Sequence, residues 1–146
     1  MFTFLWNHKI FSLFIIIVVA YFFVNPSNKF GYCQKNLVIF NRLPVSLFDL
    51  SISAAGSAQP LEDLNKKDAL SDFFLELLRK PDDENVLVIV GTGFDHPSFQ
   101  LADEKAASLE SKNITIKQLP SKEAVKLYNA SVDQGKKTAI LLCIKH

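Results

Sequence analysis

Apolar and polar residues follow three different rhythms along this chain. The first is a continuous run, Ile10 to Val24 (IFSLFIIIVVAYFFV), in which Ser12 is the one clearly polar member. Phe2, Phe4, Leu5 and Trp6 precede it across Asn7-His8-Lys9. The run falls short of the ~20 residues that cross a bilayer unaided, yet Trp6 and Tyr21 can sit at the two interfaces and Lys9 can snorkel. It therefore reads as a membrane helix. A cleaved signal peptide is the rival, because a short apolar core after a lysine fits one. Asn25 to Gly31 offers no A-x-A-like cleavage site, so an uncleaved anchor is preferred. Lys29, Lys35 and Arg42 follow the run, against Lys9 and the terminal amine before it. The positive-inside rule then leans towards a single-pass protein with its globular domain on the cytoplasmic side.

The second rhythm is the short unbroken run. Val86 to Val90 is β-branched and aliphatic throughout, too short for a helix and without a polar face. Such a run suits a strand covered on both sides, as in a parallel sheet. Gly91-Thr92-Gly93 then allows a tight bend at its carboxyl end, where α/β folds place ligands. Thr138 to Ile144 reads as a last buried strand and Ile114 to Lys117 as another. Leu37 to Phe40 and Val45 to Leu50 read as two strands split by a turn at Asn41-Arg42-Leu43-Pro44. Ser51 to Gln59 is small and polar, a loop by composition.

The third rhythm is helical. Within Leu61 to Lys80, the residues Leu70, Phe73, Phe74, Leu77 and Leu78 form one stripe. Asp68 or Ser71 is a candidate cap and Pro81 a stop. Phe99, Ala102, Ala106 and Leu109 mark a second helix, with Pro97 near its first turn. Ala124, Val125, Tyr128 and Val132 mark a third, with Ser121 as its N-cap and Gly135 just past its end. The order β-β-α-β-α-β-α-β, whose second half alternates as a parallel sheet requires, predicts an α/β fold with helices on both faces of a mostly parallel sheet, preceded by one N-terminal transmembrane helix. The divisions are an anchor at 1–24, a linker at 25–34 and the α/β domain at 35–146.

Composition narrows the partners. In 146 residues, 16 Lys and Arg meet 15 Asp and Glu, a net charge of +1, which gives no electrostatic footprint for nucleic acid. Cys33 and Cys143 are too few for a disulfide scaffold or a structural zinc site, and read as two unconnected thiols. No metal or cofactor is expected.

Candidate chemistry gathers on the glycine turn. A dinucleotide fingerprint needs a third glycine where His96 stands, and the P-loop lysine is absent. Gly91-Thr92-Gly93 therefore reads first as a tight strand-to-helix turn and second as a small-ligand or anion pocket, helped by the helix that starts at Ser121. Asp95 and His96 are adjacent, which rarely lets two side chains face each other, and read as a loop with an aspartate cap. Asn129 follows Tyr128 on a helix that otherwise faces the core, and either a tie from its side chain to a neighbouring loop, such as the Gly91-Thr92-Gly93 turn, or plain exposure near the helix end would explain its place. The ligand-binding candidates are thus Gly91, Thr92, Gly93, Ser121, Tyr128 and Asn129. No nucleophile–base set emerges, so no catalytic residue is assigned.

These residues also resemble a known family. It contains the adipogenesis-associated domain protein and the mitochondrial complex I assembly factor 3. Its pattern is a strand ending in G-T-G, then a helix, a strand and a segment T-x-x-A-x-x-x-[YF]-N-x-x-x-x-E-G-R before the last strand. Gly91-Thr92-Gly93, Ala124, Tyr128, Asn129 and Gly135 match at the same spacings. Ser121 stands for the threonine, Gln134 for the acid and Lys136 for the arginine, whose bidentate fork a lysine cannot reproduce. The likeness covers about residues 61–142. It implies a three-layer α/β fold with a mixed, mostly parallel central sheet, and an accessory or assembly role without established enzyme activity. A membrane-tethered, non-catalytic domain that binds a protein partner is the resulting expectation, with a small ligand at the turn as the alternative.

Overall fold

The computed structural model describes residues 2–24, 28–65, 70–79, 85–110 and 112–145. The first element, α1 (Phe2–Val24), is a helix that contains the whole apolar run from Ile10 to Val24. Among the described residues, however, no helix is long and apolar enough to cross a membrane. That overturns the expected transmembrane helix, and with it the single-pass localisation and its cytoplasmic orientation. The physical reason is length. The apolar part of α1 runs from Ile10 to Val24, about 22 Å of helix against a hydrocarbon layer of about 30 Å. The far end of α1 instead meets the rest of the chain. The Tyr21 hydroxyl donates to the Arg42 carbonyl, and the Arg42 guanidinium lies 4.7 Å from the centre of the Phe22 ring.

Three short strands follow, β1 (Phe30–Gln34), β2 (Leu37–Phe40) and β3 (Leu43–Ser46), paired antiparallel in that order. β1 lies inside the stretch read as a linker. Asn41 and Arg42 both have positive φ, as a two-residue hairpin turn demands. The turn is therefore shorter than the four residues expected, and Leu43 and Pro44 belong to β3. Pro44 is tolerated because β3 is an edge strand.

The strand expected over Val45 to Leu50 is divided between β3 and β4 (Asp49–Ile52), and β4 pairs with β5 (Ala58–Leu61) in a hairpin that takes in both ends of the expected loop. Their small polar residues concealed it, since Ser51 is buried and its hydroxyl reaches the Gln59 carbonyl at 3.4 Å. α2 (Ser71–Leu78) is shorter than the helix read over Leu61 to Lys80, because Leu61 still pairs in β5. Asp68 and Pro81, its candidate cap and stop, lie outside the described residues.

The remaining elements are β6 (Val86–Gly91), α3 (Asp103–Glu110), β7 (Ile114–Leu119), α4 (Ser121–Asp133) and β8 (Thr138–Leu142). They complete a five-stranded sheet of order β5-β4-β8-β6-β7. β6 runs parallel to both neighbours, while β4 pairs antiparallel with β5 and with β8. The sheet is mixed in equal parts rather than mostly parallel.

Alternation along β6 separates two cores. Val86, Val88 and Val90 face Phe73 and Leu77 of α2 and Leu109 of α3. Ile89 faces the other way, onto Ala124, Val125 and Tyr128 of α4 together with Phe30, Val38 and Phe40 of the small sheet. The result is three layers, with α4 and the β1–β3 meander sharing one of them. α4 ends on Gly135 at φ +69°, whose N–H donates to Val132 O while Lys136 N–H donates to Ser131 O. That paired pattern is the glycine-terminated helix end expected of this position.

A buried carboxylate closes the sheet's carboxyl end. Asp49 accepts backbone N–H groups from Ile144 at 2.8 Å, Leu64 at 3.1 Å and Lys145 at 3.4 Å. It joins β4, the turn before α2 and the exit of β8.

Candidate functional site

β6 runs into Gly91-Thr92-Gly93 at the carboxyl end of the sheet, and the three residues are buried. A Cβ on Gly91 would lie 2.6 Å from Leu142 Cδ1, 3.1 Å from Ser121 Oγ and 3.3 Å from Ala124 Cβ. A side chain there would need the Leu142 methyl of β8 to shift and would crowd α4. Gly93 has φ +141°, a conformation that favours glycine. The Thr92 carbonyl accepts from Ser98 and Phe99, and its own N–H donates to Leu119.

Ser121 seals this turn. It is fully buried, and its N–H donates to Gly93 O at 2.8 Å. Its hydroxyl accepts from Gly93 N–H at 3.1 Å and donates to Cys143 O at 2.8 Å. Pro120, not Ser121, occupies the N-cap position of α4. The serine side chain is spent on β6 and on the exit of β8 rather than on its own helix.

Tyr128 and Asn129 lie about two turns further along α4, roughly 10–12 Å from Ser121. The Asn129 amide holds both backbone groups of Phe30: Oδ1 accepts from its N–H at 2.9 Å and Nδ2 donates to its carbonyl at 2.8 Å. The expected tie from Asn129 to the glycine turn is therefore replaced by a tie to β1. The Tyr128 ring packs against Phe30 and Phe40 at centroid distances of 5.3 and 6.2 Å. Burial pushes its hydroxyl pKa up to about 12. Of the six candidates, Gly91, Thr92, Gly93 and Ser121 come together, while Tyr128 and Asn129 serve the β1–β3 layer.

Just beyond the turn, Lys35, Asp95, His96 and Ser98 line a cavity of about 450 Å³. Lys35 comes from the β1–β2 turn and the other three from the loop between β6 and α3. Lys35 Nζ is 2.7 Å from Asp95 Oδ2. This hydrogen bond, followed by the Lys35 charge, holds the Asp95 carboxyl below its ordinary pKa, with His96 and Lys122 adding to the effect. Burial pushes the nearby Cys33 thiol up to about 11, against the opposing charge of Lys122. Cys33 and Cys143 form no disulfide. The Ser98 hydroxyl lies 3.1 Å from the His96 carbonyl, so its hydrogen bond goes to backbone and not to the imidazole. Among the described residues no group of His, Cys, Asp and Glu is arranged to hold a metal ion.

Sequence reading weighed Asp95 and His96 and passed over Lys35 and Ser98. No local pattern marks Lys35, which is 60 positions from its partner. Topology brings it there. β6 leads through α3 to β7 on one side, and β7 returns through α4 to β8 on the other. The carboxyl end of β6 is thus a point where the connections diverge, the place where open α/β sheets form a crevice.

No family model matches the chain, and no curated protein matches it by sequence. Solved structures do. A Mth938-like domain protein from Bordetella pertussis is 16% identical with a TM-score of 0.60, covering 83% of this chain and 90% of that one. The fold is Mth938-like. A structure named MT938 is 19% identical with a TM-score of 0.56, covering 81% and 98%. A third, described as an outer membrane protein from Bartonella henselae, is 16% identical with a TM-score of 0.60, covering 83% and 97%. These likenesses establish a small α/β fold of the Mth938-like kind. They do not carry the narrower names of the adipogenesis-associated domain protein or the complex I assembly factor.

Proposed function

We propose that this chain is a non-catalytic accessory protein that binds another protein, in the assembly-type role that the family resemblance implies. The observation that carries the reading is α1. Between Ile10 and Phe23 its apolar side chains are exposed around the helix, with Phe14, Ile16 and Phe23 at 60%, 63% and 85%. A helix that is apolar all round belongs under cover, and exposed patches of this kind mark contact surfaces. Each large apolar side chain that a partner covers is worth roughly 1.5–3 kcal/mol. An apolar groove or helix of a partner protein meets that requirement. The satisfied hydrogen bonds of Gly93 and Ser121, and the backbone-directed Ser98 hydroxyl, support a role without chemistry.

The test is co-purification of the tagged full chain in mild detergent, with and without Phe14→Ser and Ile17→Ser together. A reproducible, stoichiometric partner recovered by the parent chain and lost by the double variant is expected. Recovery of the parent chain alone and monodisperse would overturn the reading.

A further inference from the structure

We infer that the cavity at the carboxyl end of β6 is a binding site for a small anion, with Lys35 as the principal ligand for its charged oxygens and Asp95 as a built-in stand-in for that anion. This stands apart from the partner reading, because it uses no residue of α1.

Size and place come first. About 450 Å³ is the range of small-molecule sites. The cavity sits outside the carboxyl end of a strand that is parallel to both neighbours, at the point where chain connections diverge. Its lining is Lys35, Asp95, His96 and Ser98, all polar, drawn from two turns distant in sequence. These four side chains offer charged and hydrogen-bonding groups to a compact hydrophilic ligand.

Charge then sets the sign. Two ammonium groups, Lys35 and Lys122, act on Asp95, and Lys122 also acts on Cys33. Positive charge from both lysines thus reaches the position that the Asp95 carboxylate holds. Lys35 already grips a carboxylate at 2.7 Å, in a geometry that any carboxylate or phosphate oxygen can copy. Both side chains of that pair are largely solvent-exposed, at 46% for Lys35 and 60% for Asp95. Exposed pairs are weak, so Asp95 is a competitor that a ligand can displace. The ligand meets side chains here, not the glycine backbone, because Gly93 N–H is occupied by Ser121. That separates the site from a phosphate-binding loop, where backbone amides form the cradle.

The experiment uses the full chain at constant ionic strength, titrated with inorganic phosphate in one arm and acetate in the other. Backbone amide and imidazole signals are followed by NMR. Saturable shifts confined to Lys35, Asp95, His96, Ser98 and their chain neighbours are expected in at least one arm, and the arm that saturates tells phosphate from carboxylate. Lys35→Ala should weaken binding about tenfold or more, as the loss of a charge-assisted hydrogen bond requires. Asp95→Asn should tighten it about two- to fivefold by removing the competitor. Asp133→Asn, which frees a second ion-paired lysine among the described residues, the half-buried Lys29, should leave the affinity unchanged. The Phe14→Ser, Ile17→Ser chain should bind as the parent does. Shifts scattered over many lysines, no saturation in either arm, or equal affinity in Lys35→Ala would overturn the inference.

Discussion

The carboxyl end of β6 has a floor and a rim, and the two are built on opposite principles. In the floor, Gly91, Thr92, Gly93 and Ser121 are buried, and the Ser121 hydroxyl both accepts from Gly93 and donates to Cys143. At the rim, Lys35 and Asp95 are exposed and share a single ion pair. Buried polar groups lose much when a partner is removed, whereas exposed charge pairs lose little. The floor is therefore where stability resides, and the rim is where a ligand can exchange with a protein group. A short motif that marks the floor does not by itself mark a binding site.

The contrast can be broken most directly at Ser121. Ser121→Ala removes the acceptor of the buried Gly93 N–H and one hydrogen bond to the Cys143 carbonyl, at an expected cost of about 2–4 kcal/mol. Urea unfolding measures it. An unchanged midpoint would show that the floor is not structural. Asn129→Ala should have a smaller effect, about 1–2 kcal/mol, because its bonds to Phe30 are only partly buried. Its mark should be local, with amide exchange rising in β1 and β2 while β6 and β8 stay protected. Uniform loss of protection would mean that the β1–β3 layer does not open on its own. At the rim, Lys35→Ala should change stability by less than about 1 kcal/mol. A cost as large as that of Ser121→Ala would erase the distinction.

How much of this was legible in the sequence depends on distance along the chain. β6 was, because Val86 to Val90 carry their burial in their own unbroken pattern, and Val88, Ile89 and Val90 are indeed fully buried. The faces of α2 and α4 were legible for the same reason, as was the glycine end of α4. The β4–β5 hairpin was not, because Ser51 and its neighbours look like loop until a sheet buries them. α1 misled in another way. Its composition resembles a membrane span, but its apolar part stops short of the necessary length.

What this sequence determined by itself are the elements whose cause lies within a few residues: helix stripes, a covered strand, and the left-handed end of α4 at Gly135. What the tertiary structure alone decided are the pairings, Lys35 with Asp95, Asn129 with Phe30, Ser121 with Cys143, and Asp49 with Ile144. Each joins residues far apart in the chain. A hydrogen-bonding side chain has the same local signature whether it meets water, its own turn or a strand from elsewhere, and only the packing of the layers chooses among them.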